Sequence, residues 1–186
     1  DHTMALLLCA VRKVILGREH VKSGHWLGDF KQLSPIPAFK DCTLGLVGFG
    51  KIARAVAERA KAFGMKVQTV DPFIPTEVAT QQGVKMVSME ELIRSSDFIS
   101  VHAPLTEETR DMISRREFDM MKTSAGLINT ARAALVNEKA LIEALQKGKI
   151  AFAAFDVMAE EPPKKDNPLL KMDNMIITPH TAWYSE

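Results

Sequence analysis

No block of like charge runs through this sequence. In 186 residues, 24 lysines and arginines stand against 23 acidic residues, and the net charge of +1 is spread along the chain. A nucleic-acid binder needs a basic patch or stripe, so that class of partner is excluded. Cysteine is equally scarce. Cys9 falls in an apolar helical stretch and Cys42 just ahead of a strand, with neither the density of a disulfide framework nor metal-type spacing. The pair predicts a reducing, cytoplasmic setting and no metal site. Long apolar runs are missing too: the longest early one, at 4–11, is too short to span a bilayer. Arg12 and Lys13 follow it, the wrong order for a signal peptide, so it reads as a buried helix. No internal repeat or low-complexity tract occurs, and EEPPKKD at 160–166 reads as a solvated loop.

What remains is a chain that is 46% hydrophobic and long enough for one sizeable core. Leu6, Leu7, Ala10, Val14 and Ile15 follow helical spacing and predict one long helix from His2 to about Ser23, with Gly17 a candidate kink. A loop with Pro35 and Pro37 follows. Beyond it, short runs rich in Val, Ile, Leu and Phe alternate with amphipathic stretches, the mark of βα units and a parallel sheet. Strands are expected at 43–47, 66–70, 84–86, 98–102, 126–129, 151–156 and 175–178, with the clearest helices at 52–63, 88–95 and 138–147. Seven strands joined by right-handed crossovers give a doubly wound α/β sheet of the Rossmann type.

In such a sheet the first strand feeds a helix through a turn whose N–H groups face a pyrophosphate. The stretch GLVGFGKIA at 45–53 places Gly48 and Gly50 for that turn. Ala53 holds the third glycine position, which serves close helix packing and tolerates a methyl group. The next strand ends at Asp71, where the dinucleotide fingerprint needs a carboxylate for the adenosine ribose hydroxyls. Strand, glycines, helix and acid together predict a dinucleotide site. Asp71 stands against a 2′-phosphate, and PFIP, which follows, offers no Lys or Arg to neutralise one, so NAD is expected over NADP.

Three further stretches are polar where strands should end: VHAPLTEETR from Val101, INTARAALVN from Ile128 and ITPHTAWYSE from Ile177. With FDVMAEEPP and the glycine loop, they resemble, over essentially the whole chain, the nucleotide-binding domain of the D-isomer-specific 2-hydroxyacid dehydrogenases. The resemblance implies a catalytic trio: the Arg of NTAR, the Glu before Pro in AEEPP and the His of TPH, here Arg132, Glu161 and His180. An arginine fork holds the substrate carboxylate and polarises the neighbouring carbonyl. His180 exchanges the proton with the substrate oxygen, and the carboxylate orients its ring. On residue type alone, Glu160 is an equal candidate beside Glu161. By the same resemblance the main chain at Phe49, Lys51 and Ile52 touches the pyrophosphate. His102, Pro104, Thr109, Thr130, Ala131, Asp156 and Ala182 line the cofactor groove, with Asp156 facing the nicotinamide carboxamide. His102 reads equally as a strand-end histidine with its hydrogen bonds satisfied.

Two departures stand out. The family often carries Arg-Gly-Gly where this chain has Arg132-Ala133-Ala134, and the tail AWYSE is closest to the C-terminal binding protein branch, whose members act as transcriptional co-repressors. An NAD-sensing scaffold of that type is therefore the competing reading to an enzyme. In the family the substrate, a small 2-hydroxy or 2-keto acid, sits between this domain and a second one. The chain opens at Asp1 inside a helical pattern and has about forty residues before its first strand. The expectation is a nucleotide domain over 1–186 without its substrate domain, able to bind cofactor but inactive alone, and dimeric through the apolar face of its first helix.

Overall fold

A computed structural model describes residues 1–26 and 36–184 of the chain. Pro35 and the last two residues of the AWYSE tail lie outside the described residues. Two helices open the fold, α1 (His2–Val11) and α2 (Val14–Lys22), and a 3-10 turn at Phe39–Asp41 leads into β1 (Thr43–Val47). There follow α3 (Lys51–Ala62), β2 (Lys66–Val70), α4 (Thr76–Gln81), β3 (Lys85–Met86), α5 (Met89–Ser95) and β4 (Phe98–Val101). The second half runs α6 (Arg115–Met120), β5 (Gly126–Asn129), α7 (Glu138–Gln146), β6 (Phe152–Phe155) and β7 (Met175–Ile177).

All seven strands join one sheet in the order β3-β2-β1-β4-β5-β6-β7, and every pairing is parallel. The doubly wound architecture expected from the sequence is the one observed. The central strands β4, β5 and β6 are buried at every position, as a sheet covered on both faces requires. One core packs α5, α6 and α7 against the sheet through residues such as Leu92, Phe118 and Leu141. The other packs α1 and α3 on the opposite face through Leu7, Val56 and Ala60. In α3 the buried residues Ala53, Val56, Ala57 and Ala60 form a helical stripe, so the small Ala53 brings the helix close to the strands.

The first helix differs from expectation. It does not run to Ser23 with a kink at Gly17; it stops at Val11, and Lys13 takes a left-handed conformation (φ 55°, ψ 34°) before α2 starts. The break has a packing cause. Helix α1 buries Met4, Leu6, Leu7, Ala10 and Val11, whereas no residue of α2 is buried, so the chain turns off the sheet where its covered surface ends. Among the described residues, no helix is long and apolar enough to cross a membrane.

Candidate active site

The strand order reverses between β1 and β4, and a ligand crevice in such a sheet opens there, beyond the carboxyl ends of the strands. Gly48 leaves β1 with φ +91°, and a Cβ at this position would meet the Ala103 nitrogen at 2.9 Å and the His102 carbonyl carbon at 3.0 Å. Only glycine permits the first loop to lie this close to the loop after β4. Gly50 is different: it is the N-cap of α3, exposed, and a Cβ there would face open space. No side chain caps α3, and the first N–H groups of a helix have no intrahelical acceptors. Exposed Lys51 and Ile52 begin that helix, so the turn combines a tight floor, an open roof, unsatisfied donors and a positive side chain. These features fit a dinucleotide pyrophosphate.

Asp71, at the end of β2, reaches back to this turn. Its Oδ2 accepts the Phe49 N–H (2.8 Å) and its Oδ1 the Phe73 N–H (2.9 Å). Phe49 is fully buried and its N–H is engaged by Asp71, so the carboxylate also braces the glycine loop. Two accepted bonds leave a carboxylate with lone pairs for ribose hydroxyls.

After β4, His102 lies 2.9 Å from Ser100 Oγ through Nε2. Burial pushes its pKa down to about 4, so the ring is neutral at physiological pH. Pro104 and Thr109 are tied to each other, the Thr109 hydroxyl donating to the Pro104 carbonyl at 2.7 Å. After β5, buried Asn129 holds a turn at both ends: Nδ2 donates to the Arg132 carbonyl (2.9 Å) and Oδ1 accepts the Ala131 N–H (3.0 Å). Arg132 itself is exposed.

The last two strands bring Glu161 and His180 together. Glu161 Oε2 lies 2.7 Å from His180 Nδ1, and its Oε1 accepts the Met158 N–H at 2.9 Å. These bonds, that with His180 first, hold the Glu161 carboxyl below its usual range. An ionised carboxylate can only accept, so Nδ1 carries the proton and Nε2 is left for proton exchange. Glu160, the equal candidate by type, instead pairs with Lys164 at 3.3 Å. His180 adopts φ 55° and remains partly exposed.

Asp156, at the end of β6, is fully buried on its side chain. Oδ1 accepts the Thr178 hydroxyl (2.5 Å) and the Thr181 N–H (3.1 Å), and Oδ2 accepts the Ala182 N–H (2.7 Å). Burial alone raises its pKa, but the Thr178, Ala182 and Thr181 bonds and nearby His2 outweigh it and hold the carboxyl below the ordinary range. In this arrangement Asp156 fastens the loop that carries His180.

Residues 4–182 match the family described as D-isomer specific 2-hydroxyacid dehydrogenase, NAD binding domain. The chain belongs to this family. This NAD-binding domain is 48% identical over 185 residues to the D-3-phosphoglycerate dehydrogenase of Methanocaldococcus jannaschii, covering 99% of the chain and 34% of that protein. It is 41% identical over 183 residues to the glyoxylate reductase of Korarchaeum cryptofilum, covering 98% of the chain and 55% of the relative. A D-lactate dehydrogenase from Aquifex aeolicus, solved with NAD and lactic acid, superposes with a TM-score of 0.91 at 34% identity, over 100% of this chain and 59% of that one. The NAD-binding domain thus spans from 34% to 59% of the length of these three proteins.

Four residues of the NAD-binding domain that hold this edge together were not singled out from sequence. Asn129 and Thr178 sit inside motifs that were, each a polar residue at a strand end, which is the signal that could have found them. His2 and Thr3 carry no such mark. His2 Nε2 lies 2.9 Å from Thr178 Oγ1 and 3.3 Å from Asp156 Oδ1, and Thr3 Oγ1 lies 2.8 Å from Thr130 Oγ1.

Proposed function

We propose that this chain is the cofactor half of an NAD-dependent dehydrogenase that interconverts a small 2-hydroxy acid and its 2-keto acid. The observation that carries the reading is the His180–Glu161 pair at 2.7 Å, on the same sheet edge as the glycine turn and Asp71. The nicotinamide, when bound, supplies or accepts the hydride. The chain's own residues do the rest. Arg132, exposed after β5, holds the substrate carboxylate and polarises the carbonyl. His180 gives its Nε2 proton to the carbonyl oxygen in reduction and takes the hydroxyl proton in oxidation. Glu161 fixes the ring through Nδ1 and stabilises the imidazolium.

The chain spans about half the length of many relatives it matches, so the remaining walls of the substrate cleft belong to sequence outside these 186 residues. Arg132 is exposed, and the side chains of Glu161 and His180 are 39% and 41% exposed. With water free to reach them, the isolated chain binds cofactor without useful turnover. The enzyme reading is preferred to the co-repressor scaffold because the relatives described above are dehydrogenases and a reductase. Free Cys9 and Cys42 support a reducing, cytoplasmic location. Val14, Ile15, Leu16 and Val21 are exposed on α2 and support a homodimer.

The test begins with NADH and NADPH titrations of the chain. NADH is expected to bind the tighter, and Asp71→Ala to narrow the ratio. Loosening of the glycine loop weakens both cofactors alike, so only a change in the ratio reports the ribose contact. Equal affinities in the unmutated chain remove Asp71 from the ribose site. In the longer protein that contains this domain, NADH oxidation by glyoxylate, pyruvate or hydroxypyruvate should fall by at least about a hundredfold in His180→Gln, the usual scale for a general acid. Unchanged turnover in that variant overturns the assignment of His180.

A further inference from the structure

The first turn of α1 touches both loops that carry the proposed catalytic side chains. Thr3, 5% exposed, pairs its hydroxyl with that of Thr130, two positions before Arg132. His2 reaches Thr178, two positions before His180. Its bond has a direction. A threonine hydroxyl has one proton, and Thr178 spends it on the Asp156 carboxylate at 2.5 Å. The contact from His2 must then be a donation from Nε2–H to Thr178 Oγ1, which leaves the same N–H 3.3 Å from Asp156 Oδ1. The Asp156 carboxylate in turn accepts the Thr181 and Ala182 N–H groups, on the far side of His180. His180 therefore lies between two fastened points, Thr178 before it and Thr181 after it, and both lead through Asp156 to His2.

We propose that His2 and Thr3 are positioning residues, through which α1 sets the two loops separately: His2 the 178–182 loop and Thr3 the 130–132 loop. The proposal rests on the reading of His180 and Arg132 as the residues that meet substrate. Helix α1 suits the task because its next turns are buried against the sheet, giving the polar turn a fixed base.

Amide hydrogen exchange in the 186-residue chain, read residue by residue by NMR, tests this. In His2→Ala the Thr181 and Ala182 amides are expected to exchange about fivefold faster, the equivalent of one ordinary hydrogen bond. The Ala131 amide, which Asn129 Oδ1 accepts, keeps its rate. Thr3→Val should give the converse pattern. His2→Gln, which restores an N–H donor, and Thr3→Ser, which restores the hydroxyl, should each return the rates toward the unmutated values. Faster exchange in both loops with either single variant indicates general loosening and overturns the proposal, as does no change in either loop. NADH titration of the unmutated chain stands apart from these arms. Failure to bind there overturns the cofactor reading, while the split exchange pattern still reports the coupling of α1 to the loops.

Discussion

Two glycines one residue apart make opposite demands. At Gly48 a methyl group would combine a positive φ with a 2.9 Å approach to the Ala103 backbone. Gly48→Ala is therefore expected to cost about 3 kcal/mol in urea unfolding, at the upper end for a strained backbone position. At Gly50 a methyl group would meet nothing within 4 Å. Gly50→Ala should change stability by no more than about 0.5 kcal/mol, as a surface substitution does, yet weaken NADH binding by filling the cradle. Equal stability losses in the two variants would contradict this division. His102 supplies a pH dependence. Its pKa is 6.5 as a free side chain and about 4 in the fold, because burial penalises the charged ring. Above pH 6.5 the ring is neutral in both states and contributes no slope. Between pH 6.5 and about 4 the unfolded chain binds a proton that the fold does not, so stability falls by about 1.4 kcal/mol per pH unit. Urea unfolding at pH 6.5 and pH 5 should show about 2 kcal/mol lost through this group. His102→Gln should remove that part of the slope, and equal slopes in the two proteins would show that the ring is protonated in the fold.

At the scale of elements, strands and helices were legible because their signals are local. Strands β1, β2 and β5 have the bounds expected from their apolar runs, and Ser88 caps α5 by accepting the Glu91 N–H, where a helix start was expected. The third strand proved shorter, with Lys85 and Met86 alone paired to β2 at the sheet edge. The break at Lys13 was not legible, since lysine has no preference for the left-handed region and the cause lies in what α1 covers. The sequence pointed to Gly17, the residue that best tolerates such a bend, and that glycine is helical instead. Because a left-handed lysine is disfavoured by roughly 1 kcal/mol relative to glycine, Lys13→Gly is expected to raise stability by about that amount in thermal unfolding. A fall would mean that the lysine side chain contributes more than its backbone costs. The site shows the same division. Motif residues are marked by type and position at strand ends, whereas the bonds from His2 and Thr3 join residues 176 and 127 positions apart and leave no local trace.

At the scale of the molecule, α2 stands off the sheet with Val14 52%, Ile15 46% and Val21 48% exposed. A second copy of the chain is the occupant we expect for this face. Sedimentation should find a dimer at micromolar concentration and a monomer for Ile15→Glu; a monomeric unmutated chain would remove α2 as an interface. The attachment of α1 has a consequence for how the molecule is made. Its ten residues, HTMALLLCAV, are synthesised before the strands they pack on, since the helix lies in the cluster that holds Phe152 and Ala154 and bonds to Thr178. Until β5, β6 and β7 have formed, this segment has no finished surface to dock on, and an apolar helix so short is marginal alone in water. The ribosome therefore releases this apolar helix before its seat. During that interval the nascent chain carries an exposed apolar segment, which makes it a natural client for chaperones and makes α1 the closing step of folding.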